Sequence, residues 1–425
     1  MERLPGFRDF YPHPIPKGDF WSLDLRNHIF ATWRNTARRY GFAEYDGPPL
    51  EPLELYTAKS GQEIVGQLYT FTDKGDRSVA MRPEMTPTLA RMVAATERNY
   101  KKPIKWFSIP QLFRYERQQK GRLREHFQFN ADIFGETDPA ADAELIALLI
   151  DTLREFGLTA DDFVVRLSNR QAWKEFFTSA GGLESKEQEF FQIIDKIERE
   201  SPENTHSKLV SIGIASDAVQ EFIQKAVPTG DLARVVDSLK ARGLDAFFKV
   251  DYTVIRGLAY YTGTVFEAFD KKGQFRAIAG GGRYDKLVHN LTQGKVSIPG
   301  LGFGMGDVVL AELLKSRNLV PHSDIGPDIF VLIEDEALRN ESLSCIQRFR
   351  EQGHSVEYSL VPTNPDKQFK KAQDLKAIHS ARIEVTPEGN RLLWIKELKS
   401  RAEVRLPVNE AITRFKARTL FPGAS

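Results

Sequence analysis

The sequence holds a single cysteine, Cys345, in 425 residues. That excludes an intrachain disulfide and a cysteine-rich zinc site. No apolar run reaches membrane-spanning length, and the opening residues MERLPGFRDFYPH lack a signal-peptide core. The expected compartment is the cytoplasm, or an organelle after loss of a transit peptide, with no membrane association. An excess of charge of either sign is missing too. The formal net charge is +1, so any nucleic-acid surface has to be a local patch. Nor is there a GxGxxG fingerprint: Gly300, Gly302, Gly304 and Gly306 alternate instead. Alternation suits a strand and not the phosphate turn of a dinucleotide fold. What remains, 41 % hydrophobic and 28 % charged, is an ordinary globular composition with length for two or three domains.

Apolar spacing predicts a helix over 20–40, stopped by Gly41, leading into a proline-bearing strand at 43–53. Short strands are expected at 69–71 and 79–82, then a helix over 88–96 with Pro87 in its first turn. Glu84 and Thr86 fall where strand becomes helix, a usual place for ligand contacts. Capping by Thr86 beside a solvated Glu84 would account for the same residues. A helix over 140–156 and a strand over 163–167 follow, and residues 171–240 read as charged helical segments. Strands return at 247–258 and 260–269, with a turn at 270–274 and a return strand at 275–278. Gly280, Gly281 and Gly282 are expected just before a helix, where backbone N–H groups can approach a ligand. Beyond a linker at 321–327, strands at 328–333, 355–360 and 392–395 alternate with helices at 337–353 and 372–377, the pattern of a small α/β domain. From Lys367 to Arg418 thirteen Lys/Arg face six Asp/Glu, a local excess of seven.

The most informative stretch is Trp106 to Gly135. Read with period two, it is a pair of antiparallel strands joined by a basic loop. Arg124, His126, Gln128, Asn130 and Asp132 share one face, while Phe127, Phe129, Ala131 and Ile133 share the other. A solvated face would alternate in the same way. This one is chemically mixed, and five Lys/Arg lie from Arg114 to Arg124, which suits a ligand carrying both phosphate and amine.

Phe113-Arg114-Tyr115-Glu116-Arg117, the basic loop and Arg124-Glu125-His126-Phe127-Gln128 resemble motif 2 of the class II aminoacyl-tRNA synthetases. Arg82-Pro83-Glu84-Met85-Thr86-Pro87 and Arg256-Gly257-Leu258-Ala259-Tyr260-Tyr261-Thr262-Gly263 narrow the resemblance to the histidyl-tRNA synthetase family. It runs through nearly the whole chain. It implies an α/β (α+β) fold: an antiparallel class II sheet flanked by helices, with a helical insertion and a small C-terminal α/β anticodon-binding domain. The implied boundaries are 1–170 and 241–320 for the two parts of the catalytic core, 171–240 for the insertion and 326–425 for the last domain. Residues 20–51 resemble motif 1, which implies a homodimer. The glycines at 300–306 match the position of motif 3, where adenine lies against the sheet.

The implied reaction activates histidine with ATP and passes the histidyl group to the 3′ end of tRNA(His). By this resemblance Arg114 and Arg256 act on the α-phosphate, Arg122 reaches the γ-phosphate, and Glu116 and Gly304 complete the ATP site. Glu84, Thr86 and Gln128 hold the histidine amine, and Asp132, Tyr260 and Tyr261 hold its imidazole. Magnesium accompanies ATP, and no tightly bound metal is implied. The chain departs from the family pattern at four points. Ala259 replaces a common Asp, Asp132 a longer Glu, His126-Phe127 reverses the usual order, and Val309 stands where motif 3 ends in Arg. A non-catalytic relative, the histidine-sensing regulatory subunit of ATP phosphoribosyltransferase, tolerates such motif loss but lacks the C-terminal domain. A synthetase for another amino acid is opposed by Arg256 to Thr262.

Overall fold

The computed structural model describes residues 2–12, 15, 21–57, 66–116, 122–197, 200–254, 261–321 and 326–415. The chain divides into two compact units, Met1–Pro321 and His322–Ser425.

A nine-stranded sheet organises the first unit. Its order is Phe248–Val250, Phe163–Asn169, Thr264–Asp270, Ala279–Arg283, Gly300–Gly306, Glu125–Phe134, Ile104–Ser108, Ala43–Glu44, with Gln111–Phe113 also paired to Glu125–Phe134. Pairing is antiparallel except at the two edges, where Phe248–Val250 and Ala43–Glu44 run parallel to their neighbours. One face is apolar because the strands alternate. Phe129, Ala131 and Ile133 lie with Phe303, Met305, Phe266 and Ala268 in one buried cluster. Leu25, Ile29 and Trp33 of helix Leu23–Arg39 and Leu145, Leu148 and Leu149 of helix Ala140–Glu155 belong to the same cluster. Each Leu, Ile, Phe or Met among them contributes about 1.5–3 kcal/mol by leaving water. The helix at Leu23 starts where the Ser22 hydroxyl accepts from the Leu25 N–H at 3.2 Å, and it ends before Gly41 at φ +76°.

Four expectations for this unit need correction. The strand expected over 43–53 is two, Ala43–Glu44 in the large sheet and Leu50–Pro52 in a three-stranded one, and the strand expected over 247–258 is Phe248–Val250, followed by a turn at Tyr252-Thr253. The strand read through residues 106–117 is interrupted at Ile109-Pro110, leaving Ile104–Ser108 and Gln111–Phe113 in one register along Glu125–Phe134. Pro110 has no N–H for the ladder, though its carbonyl still accepts from Gln128 N at 3.1 Å. The return strand is Ala279–Arg283 and not 275–278, so Gly280 to Gly282 lie inside a strand and not in a ligand-facing loop. A Cβ at Gly281 would collide with the Gly302 carbonyl, and one at Gly282 would lie 2.6 Å from the Thr264 carbonyl. These glycines let neighbouring strands approach. Between the strands Phe163–Asn169 and Phe248–Val250 the chain forms five helices among the described residues, Arg170–Ser179, Glu187–Ile194, Pro202–Ser211, Ser216–Lys225 and Gly230–Ala241.

The second unit has a five-stranded sheet ordered Val356–Tyr358, Ile329–Val331, His379–Val385, Arg391–Glu397, Glu403–Pro407. The first three strands are parallel and the rest antiparallel. Ile346 and Phe349 of helix Arg339–Glu351 pack on Ile329, Val331 and Ile395, with the buried Cys345 among them. The helix expected over 372–377 instead spans Pro365–Asp374. Asn364 caps it by accepting from Asp366 N at 2.9 Å, and Pro365 fits its first turn.

Candidate active site

The second face of the large sheet carries the polar row read from the sequence. Trp106, Asp132, Gly302 and Gly282 lie side by side across four strands, and Ser108, Asn130, Gly304 and Gly280 form the next row. Gln128 is opposite Gly306. The alternating glycines make room for side chains from the neighbouring strand. A Cβ at Gly302 would collide with the Asp132 carboxylate, and one at Gly304 would lie 2.7 Å from the Gln128 carboxamide. The strip is therefore overlaid at Gly302 and Gly304, contrary to the expectation of a bare surface. It is open at Gly306, where an added Cβ would meet nothing nearer than His126 Cδ2 at 4.0 Å.

Arg114, Glu116, Arg122, His126, Gln128 and Gly304 line one cleft, together with Arg276, Ile278, Val308 and Val309. Arg114 Nε donates to the Pro83 carbonyl at 2.8 Å, which ties the motif 2 strand to the Arg82–Pro87 segment. Arg122 is ion-paired with Glu116, and Arg114 Nη1 stands 4.0 Å from the same carboxylate. Burial, with the nearby Arg114 and Arg8 charges, lowers the His126 pKa to about 3, so its imidazole is neutral. Glu84 lies near Arg114: burial raises its pKa and Arg114 opposes the rise. A half-buried carboxylate of this kind gains from a ligand ammonium. Thr86 is the first residue of helix Thr86–Thr96, and the N-cap position is Met85, which makes no side-chain cap bond, so capping by Thr86 has no support here.

Asp132 is 4 % exposed and accepts a short hydrogen bond from the Tyr284 hydroxyl. Burial raises its pKa to about 7, with the Tyr284 bond opposing. Tyr261 lies over Gly282, its ring 3.0 Å from where a Cβ would be, and Gly282 is paired with Gly302 beneath Asp132. The two side chains thus flank neighbouring points of one row. Arg256 and Tyr260 lie outside the described residues. The structure gathers Arg114, Arg122, Glu116, Gln128 and Gly304 in one cleft, puts Glu84 beside Arg114, and sets Asp132 near Tyr261. Among the described residues it gives the Thr86 side chain no hydrogen-bond partner, only a place two residues after Glu84.

A buried charge network behind the cleft has no local signature in the sequence. Arg8, with its side chain 1 % exposed, donates to Glu125 at 2.6 Å and to Asp307 at 2.9 Å. Asp307 opens helix Asp307–Ser316 and also accepts from Phe127 N at 3.0 Å. Gln111 Nε2 donates to Glu125 at 2.9 Å. The N-terminal lead, the motif 2 strand and the helix bearing Val309 are joined through these groups.

The fold and cleft define a class II aminoacyl-tRNA synthetase. A family model described as histidyl-tRNA synthetase matches residues 22–306. A histidine–tRNA ligase of Opitutus terrae is 43 % identical, with 96 % of each chain covered. The chloroplastic/mitochondrial histidine–tRNA ligase of Arabidopsis thaliana is 35 % identical, over 95 % of this chain and 85 % of that one. The chain belongs to the histidyl-tRNA synthetase family. Among solved structures, histidyl-tRNA synthetase from Nostoc sp. PCC 7120 has a TM-score of 0.74 at 22 % identity, covering 95 % of this chain and 99 % of that one. A Bacillus halodurans C structure described as an ATP phosphoribosyltransferase regulatory subunit/histidyl-tRNA synthetase has a TM-score of 0.70 at 19 % identity, over 87 % and 96 %. These two likenesses speak to fold alone. The regulatory-subunit reading is the less supported one, since the ligase relatives match across the second unit as well.

Proposed function

We propose that this chain joins ATP and histidine to form histidyl-adenylate and then esterifies tRNA(His). The observation that carries the reading is the single cleft holding Arg114, Arg122, Glu116 and Gln128 beside the Asp132–Tyr261 row. In the first step a histidine carboxylate oxygen attacks the α-phosphorus, and the α–β bridging bond breaks to release pyrophosphate. Arg114 and Arg256 bear on the α-phosphate, where negative charge grows in the transition state. Arg122 meets the γ-phosphate by leaving Glu116. Gly304 and Gly306 line the floor under the nucleotide. Glu84, Thr86 and Gln128 receive the ammonium, and Asp132, Tyr260 and Tyr261 receive the imidazole. A site that pairs both ring nitrogens rejects analogues that leave those groups unpaired. In the second step a ribose hydroxyl of the tRNA 3′ end attacks the carbonyl carbon, and AMP departs.

Magnesium enters as part of MgATP. Among the described residues that line the cleft Glu116 is the one carboxylate, so phosphate oxygens supply most of the ion's ligands. Residues 1–170 and 241–320 are assigned to the catalytic core, 171–240 to an insertion over the tRNA acceptor end, and 326–425 to anticodon binding. Lys367 and Lys370 on helix Pro365–Asp374 have no carboxylate partner among the described residues, which supports phosphate attraction there. Arg382, Arg391, Lys396 and Arg405 are paired with Glu334, Glu341, Glu403 and Glu384 and contribute less. The working assembly is a C2 homodimer built on residues 20–51, in the cytoplasm; no helix among the described residues is long and apolar enough to cross a membrane. The test is charging of a tRNA(His) transcript with labelled histidine. Ester formation that requires both ATP and histidine is expected, and no charging by folded protein would overturn the reading.

A further inference from the structure

Arg276 enters none of the steps above, yet it lines the same cleft as Arg114, Arg122 and Val309. It lies in the bend leading into strand Ala279–Arg283, with an exposed side chain. Ala279 pairs with Met305 and Gly280 with Gly304. The start of one strand therefore meets the end of the other, at the point where helix Asp307–Ser316 begins. This topology brings Arg276 and Val309 to the same end of the sheet. Arg114 and Arg122 lie between strands Gln111–Phe113 and Glu125–Phe134 on one side of Gly300–Gly306, and Arg276 lies in the bend leading into Ala279–Arg283 on its other side. Val309 is apolar and packs partly on the core. Lys315, farther along that helix, is engaged elsewhere: its Nζ is 2.9 Å from Glu312 and 4.6 Å from the Trp21 ring centroid.

We infer that Arg276 supplies the cation that position 309 lacks, and that its guanidinium binds the β,γ-phosphate end of ATP across the glycine strand. The inference rests on the ATP-site reading of the cleft. Of the arginines assigned above, Arg114 and Arg256 are placed at the α-phosphate, which leaves the Glu116-paired Arg122 as the one arginine assigned to the γ-phosphate. A planar guanidinium can engage two phosphate oxygens at once, which a lysine cannot copy. An arginine reaching in from the opposite strand does not depend on the helix residue it replaces, so the loss at 309 is compatible with an intact nucleotide site.

The experiment compares wild type with Arg276→Ala, Arg276→Lys and the pair Arg276→Ala with Val309→Arg. Calorimetry reads the affinity of magnesium β,γ-imido-ATP, of AMP and of histidine, and exchange kinetics read the KM for ATP. Arg276→Ala is expected to weaken the triphosphate analogue and raise the ATP KM by about 10- to 100-fold, the scale of one charge-assisted contact. AMP and histidine affinities should stay within about twofold, since neither ligand has a γ-phosphate. Arg276→Lys should recover part of the loss, and Val309→Arg should recover about tenfold or more by returning a cation from the helix. Unchanged affinity of Arg276→Ala for the triphosphate analogue overturns the inference. So does an equal loss for AMP and histidine, which would mark a structural role. If wild type shows no histidine-dependent exchange while Arg276→Ala still loses triphosphate affinity selectively, the synthetase reading fails and the role of Arg276 stands.

Discussion

Asp132 shows how one residue joins folding to recognition. It replaces a longer acid of the family pattern, and Tyr284 meets its carboxylate from the Gly300 side of the sheet. Its pKa of about 7 lies well above the carboxylate range near 3.9 of an unfolded chain. The folded protein therefore retains a proton that the unfolded chain releases between those values. This group's contribution to stability is full below about pH 4 and is lost as pH rises through about 7. Asp132→Asn is neutral throughout and keeps an oxygen for Tyr284, so its stability relative to wild type should rise from pH 5 to pH 8. Urea midpoints of both proteins at the two pH values check this, and parallel pH dependences would contradict the buried, protonated carboxylate. The sequence marked Asp132 correctly as lying on the polar face, because strand alternation is local. It could not disclose Tyr284, which stands 152 residues away.

Among elements, the same division between local and distant information decides what could be read in advance. The helix at Leu23, the central strand at Glu125 and the helix at Ala140 follow from periodicity and caps within a few residues. The glycine run at 280–282 was misjudged because its cause is contact with Thr264 and Gly302 on adjacent strands. Nothing near Arg8 in the sequence marks it, since its partners lie 117 and 299 residues away. Arg276 has no motif around it, and only the meeting of two strand ends brings it to the cleft. Arg8 holds three elements behind that cleft. Burial raises the Asp307 pKa, and Arg8 is the first influence opposing it. Arg8→Ala would leave Glu125 and Asp307 as buried acids without their cation, which costs about 3–5 kcal/mol. Denaturant unfolding of the variant should show that loss. A loss below about 1 kcal/mol would mean that water or a neighbouring cation replaces Arg8.

For the whole molecule, the residues proposed for histidine and ATP fall in the first unit, and the surface proposed for tRNA is the basic excess of the second. The motif 1 resemblance of residues 20–51 predicts a C2 dimer, so sedimentation at micromolar concentration should give twice the chain mass. A fully active monomer would remove the dimer from the account. The central claim is narrower: the cleft forms an adenylate from histidine. Histidine-dependent exchange of labelled pyrophosphate into ATP, by purified protein with magnesium and no tRNA, tests it most directly. Rapid exchange is expected with histidine, and background exchange with the other amino acids. Histidine binding without exchange, by protein shown to be folded, would contradict it and point instead to a histidine-sensing regulatory protein.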